Sequence, residues 1–103
     1  MTEAVLQRLI LGRLQHAGIF AWRANTGAAQ RGDQVIRFGH RGQSDILGAL
    51  PPAGRMLAIE VKSETGRQRP DQQLFGERVR AMGGLYVLAR SLDDVSREIG
   101  INL

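Results

Sequence analysis

A chain of 103 residues with 14 basic and 10 acidic side chains, 43% hydrophobic residues and no cysteine has room for one core. These figures exclude a fibrous or disordered polymer, a disulfide framework, a thiol nucleophile and a cysteine-ligated zinc. The net charge of +4 favours a polyanionic partner, and any metal must be held by oxygen or imidazole.

Met1 to Ile10 carries Glu3 and Arg8, and the purely apolar stretches elsewhere are only a few residues long. Neither a membrane span nor a signal peptide is expected, so the reading is a cytoplasmic protein of one domain over residues 1–103. Lys62 is the only lysine, every other basic residue being arginine. Codon usage accounts for such a bias, but a site that needs a compact ammonium rather than a planar guanidinium accounts for the exception.

Thr2 to Ala17 reads as an amphipathic helix, with Leu6, Leu9, Ile10, Leu14 and Ala17 at three- and four-residue spacing and Gly18 as a stop. Ile19 to Arg23 alternates as a short strand, with Trp22 read as a core residue rather than a base-stacking platform, and Gly27 to Gln34 as a loop. Val35 to Phe38 is a second strand candidate, closed by glycines 39 and 42. Asp45 to Leu50 and Arg55 to Lys62 form two strand-like runs around Pro51 to Gly54, a composition that suits a hairpin loop. Pro70 opens a helix expected to reach Met82, stopped by Gly83 and Gly84. Leu85 to Ala89 reads as a buried strand, and Ser91 as the cap of a last helix to about Glu98, with Asp93 and Asp94 in its first turn. The expectation is an α/β domain with a mixed central sheet flanked by helices.

With Pro51 to Gly54 as a four-residue loop, Leu50 faces Arg55 and Asp45 falls opposite Glu60. Leu57, Ile59 and Val61 take one face of their strand, whereas Ala58, Glu60 and Lys62 take the other, so two carboxylates and one ammonium converge. Directly opposed carboxylates repel, and a divalent cation with a taste for oxygen, Mg²⁺ or Mn²⁺, relieves them. The plain alternative is an exposed Glu60–Lys62 pair on a half-buried strand, with Asp45 a turn residue.

The segments Gln43-Ser44-Asp45-Ile46 and Ala58-Ile59-Glu60-Val61-Lys62, with their acids fifteen positions apart, resemble the PD…ExK signature of restriction-endonuclease-like nucleases. Glu3, Trp22-Arg23-Ala24-Asn25-Thr26-Gly27, Gly42, Thr65-Gly66, Pro70-Asp71-Gln72 and Gly83-Gly84 extend the resemblance over nearly the whole chain to the VRR-NUC branch, akin to Holliday junction resolvases. Ser44 stands where the signature has proline.

The resemblance implies a restriction-endonuclease-like core of rough order αβββαβ with a short C-terminal helix. It implies metal bound by Asp45, Glu60 and the Val61 backbone carbonyl, catalysis assisted by Lys62, and a site completed by Glu3 and Gln72. A structure-specific DNA endonuclease acting on branched or junction DNA as a homodimer is the expected function, and a viral or prophage origin fits the family. A non-catalytic nucleic-acid-binding module and an RNA-targeting nuclease are the rival readings.

Residue patterns bear on some of these positions. Gln72, Phe75, Val79 and Met82 share one helical face, which points Gln72 inward to orient Lys62 or a water; an amide at the edge of a core stripe is the alternative. Glu3 equally suits the positive end of a helix dipole. Arg23, Asn25, Gln43, Arg67 and Arg69 are the candidate nucleic-acid contacts, although an Asx-turn explains Asn25 and solvated loops explain the arginines. His16 and His40 have no metal-ligand spacing.

Overall fold

The computed structural model describes residues 1–24 and 27–103. Helix α1 spans Glu3–His16, and Thr2 caps it by accepting from the Val5 N–H at 3.2 Å. Its buried residues Leu6, Ile10 and Leu14 repeat at four-residue spacing, so one stripe meets the core. Six strands follow: β1 Phe20–Arg23, β2 Gly27–Arg31, β3 Gln34–Phe38, β4 Ile46–Leu50, β5 Arg55–Val61 and, beyond helix α2 (Pro70–Ala81), β6 Leu85–Ala89. Helix α3, Leu92–Ile99, closes the order, with the Ser91 hydroxyl accepting from the Asp94 N–H at 3.2 Å.

The central sheet has the order β1-β4-β5-β6, antiparallel except for the parallel β5–β6 pair. Elements touching this sheet run α1, β1, β4, β5, α2, β6, α3, so the mixed sheet flanked by helices is as expected, while β2 and β3 form an additional pair outside the rough αβββαβ order. The β4–β5 register pairs Leu50 with Arg55 and Ile46 with Ile59, as the loop length predicts. The stretch 27–34, read as a loop, is instead β2 and the start of β3, a separate hairpin turning at Gly32 and Asp33. Gly-Asp between paired runs is itself a hairpin signal, with Gly32 at φ +61°, and small residues around it obscure the alternation.

The two faces of the sheet are built differently. Toward α1 and α3 lies a wholly apolar cluster that includes Ile10, Leu14, Ile46, Leu57, Ile59, Val61, Val87 and Val95. Burying each of these large aliphatic side chains contributes roughly 1.5–3 kcal/mol. Toward α2 the apolar cluster is small, with Ala58, Val79 and Tyr86 backed by Leu47 and Phe75. Helix α2 lies close to the sheet because Gly76 faces the Tyr86 ring, where a Cβ would come within 2.7 Å of a ring carbon. Met82, expected on the buried stripe of α2, is 83% exposed, because the helix ends at Ala81 and Met82 only caps it.

Candidate active site

Buried polar side chains gather at the C-terminal end of β5, beside α2: Ser44, Glu60, Lys62 and Gln72. Strand alternation puts Glu60 and Lys62 on the α2 side, away from Leu57, Ile59 and Val61. Asp45 stands one residue before β4, and its backbone continues the ladder toward β1, its carbonyl accepting from the Ala24 N–H at 2.8 Å.

Asp45 is where the β4–β5 ladder ends. Lys62 donates its N–H to the Ala89 carbonyl of β6, so Val61 directs both backbone groups toward β4. The Val61 N–H is taken by Asp45 Oδ2 at 2.8 Å, a side chain standing in for the missing ladder partner. The Val61 carbonyl therefore lies beside the same carboxylate.

Glu60 is 2% exposed. Its Oε1 accepts from Gln72 Nε2 at 2.9 Å and lies 3.6 Å from Lys62 Nζ. The amide of Gln72 is oriented from behind, since its Oε1 accepts the Arg69 N–H at 2.9 Å at the start of α2. Gln72 thus faces inward as expected, and its amide holds Glu60.

Burial pushes the Glu60 carboxyl up to about 7, the charge of Asp45 adds to the rise, and Lys62 and Arg69 oppose it. Asp45 is also raised, by burial against the Val61 hydrogen bond and the Lys62 charge, with Glu3 adding repulsion. Glu60 Oε2 is buried with no hydrogen-bond partner among the described residues. An orphaned carboxylate oxygen, a second carboxylate and a neighbouring carbonyl form a hard-oxygen set that fits Mg²⁺ or Mn²⁺. Among the described residues no group of three or more His, Cys, Asp or Glu side chains is drawn together, and Glu3 bears on the site through the repulsion it exerts on Asp45. Two carboxylates suffice for an ion that keeps waters and binds phosphate oxygens.

The loop that delivers Asp45 is locked onto α2. Gly42, at φ +76°, lies so close to Asp71 that a Cβ there would sit 2.2 Å from its carbonyl oxygen. His40 packs against Phe75, with ring centroids 5.6 Å apart.

The remaining candidates are dispersed. Arg23 is exposed on β1, Arg67 is exposed on the loop after β5, and exposed Arg69 pairs with Asp71 at 3.2 Å. Gln43 is half-buried and accepts from the His40 N–H at 3.4 Å within its own loop. Asn25 and Thr26 lie outside the described residues. Trp22 is not a core residue: it is 44% exposed, because Ala21 and not its neighbours turns toward α1.

Two neighbours of the site carry no sequence signal. Tyr86 is buried beside Glu60, accepts from Gln68 Nε2 at 2.5 Å, and is pushed up to about 12 by burial and by the Glu60 charge. Arg90 Nη1 donates to the carbonyls of Ser63, Glu64 and Gly66, gathering the loop that follows Lys62. No family model, curated protein or solved structure matches the chain.

Proposed function

We propose that the chain is a Mg²⁺- or Mn²⁺-dependent endonuclease of the PD-(D/E)xK type, built on the restriction-endonuclease-like core of the VRR-NUC branch that its sequence resembles. Its substrate is DNA of branched or otherwise irregular structure. The observation that carries this reading is Glu60: buried, repelled by Asp45, gripped through one oxygen by Gln72 and Lys62, and left with the other oxygen free. Burying a carboxylate oxygen without a partner costs stability even with Lys62 at 3.6 Å, which favours a functional over a packing role for Glu60.

Asp45, Glu60 and the Val61 carbonyl are the groups that would hold the ion, which supplies charge neutralisation and Lewis-acid polarisation of a phosphate. Lys62, a compact ammonium held at Glu60, orients the attacking water or offsets charge on the scissile phosphate. Gln72 keeps Glu60 aimed, and Arg67 and Arg69 grip flanking phosphates from the loop that leads into α2. Resolving a four-way junction needs two such sites, hence a homodimer for that activity.

The test is cleavage of labelled linear, flap, splayed and four-way-junction DNA, with matched RNA, in Mn²⁺ or Mg²⁺ and in EDTA. Metal-dependent cutting of DNA that Asp45→Ala abolishes supports the reading. Binding without cutting in either metal favours a non-catalytic module, and a preference for RNA reassigns the substrate.

A further inference from the structure

Phe20 and Trp22 are the two aromatic residues of β1, 73% and 44% exposed, with ring centroids 5.1 Å apart and planes tilted by 53°. They alternate with Ala21, which is buried against α1, so both rings stand on the face that also carries Leu47, Asp45 and Glu60. Helix α2 covers this face over β5 and β6. Both rings lie on the edge strand of the sheet, outside the small cluster that α2 covers.

Position on the sheet relates the rings to the carboxylates. Trp22 pairs with Leu47, and the next same-face row is Ala24, Asp45 and Glu60. Two strand spacings across and two residues along place Trp22 about 12 Å from Glu60. That is the reach of a few nucleotides of one strand, at ~3.4 Å rise per stacked base.

We infer that Phe20 and Trp22 form a stacking platform for unpaired nucleobases beside the cut, so that the preferred substrate carries single-stranded nucleotides there. This inference rests on the nucleic-acid reading of the carboxylate site. A stacked duplex hides its base faces, whereas an unpaired base offers one to an exposed ring. The chain's net charge of +4 has the sign that a polyanion requires, and the side chain of Arg41, on the loop leading to Asp45, is 91% exposed while pairing with Asp71 at 3.8 Å. A second copy of the chain is a poorer occupant. Two rings bring roughly 150–250 Å² each, well short of the ~800 Å² per partner of a stable interface.

Trp22 is the only tryptophan, so its fluorescence reports the platform directly. The native protein is titrated in EDTA with a single-stranded thymidine oligonucleotide and with a blunt duplex of equal length. Quenching by the single strand at concentrations where the duplex leaves the emission unchanged is the expected result. Phe20→Ala keeps the reporter and, Phe20 being so exposed, the fold; it weakens single-strand binding about 5- to 100-fold. Trp22→Leu, followed by oligonucleotide anisotropy, weakens it to a similar extent. Equal quenching by the duplex, or none by the single strand, overturns the platform. So does a doubled mass in light scattering that Phe20→Ala returns to the monomer. Quenching without metal-dependent cutting keeps the platform and removes the nuclease; undiminished cutting of splayed DNA by Phe20→Ala, without quenching, does the reverse.

Discussion

The two faces of the central sheet obey opposite rules. The face under α1 and α3 is continuous aliphatic packing, and every residue of its cluster is hydrophobic. The face under α2 has a minor apolar cluster beside Ser44, Glu60, Lys62 and Gln72, all buried and polar. One strand, β5, serves both, with Leu57, Ile59 and Val61 pointing one way and Glu60 the other. The difference teaches that stability and chemistry are separated here by the two-residue period of a strand, so neighbouring substitutions should fail in different ways.

The largest expected effect is on chemistry. Lys62→Met removes the ammonium while keeping most of the stem, and metal-dependent cleavage per folded molecule should fall on the order of 10³-fold. On the apolar face of the neighbouring strand β6, Val87→Ala should do the converse. Cavity formation costs about 1–3 kcal/mol, visible in urea unfolding, while turnover per folded molecule stays near native.

Titration sharpens the contrast. Glu60 is raised from 4.5 to about 7 in the folded chain, so folding favours its protonated form. The sign follows from linkage: the contribution is fully present below about 4.5 and is lost as pH rises through about 7. In EDTA the native protein should lose on the order of 1–3 kcal/mol across that window, and Glu60→Gln should flatten the slope. Mn²⁺ added at pH 8 should raise the native melting temperature and leave that of Glu60→Gln nearly unmoved. Gln72→Ala should lower cleavage about 10- to 100-fold, by freeing Glu60 rather than removing it. The smallest effect belongs to the hairpin: exposed Val35, replaced by Thr, should shift stability by less than about 0.5 kcal/mol.

Local rules made much of this legible in the sequence. Four residues between Leu50 and Arg55 set the hairpin register, and alternation in β5 then put Glu60 and Lys62 together on one side. The inward turn of Gln72 followed from the helical stripe it shares with Val79. Tertiary placement stayed out of reach. Tyr86 sits in an apolar run and reads as core, and only packing brings it beside Glu60. Arg90 meets the 63–66 loop across more than twenty positions, with no motif to announce it. Trp22 has the composition of a core residue, and its exposure depends on which part of the sheet α2 covers.

The most direct test of a carboxylate metal site under α2 is Mn²⁺ binding followed by electron paramagnetic resonance on the native chain, Asp45→Ala and Glu60→Gln. The account predicts saturable binding by the native protein that either substitution weakens sharply. Native binding unchanged in both variants, or no binding by the native chain with or without DNA, would contradict it.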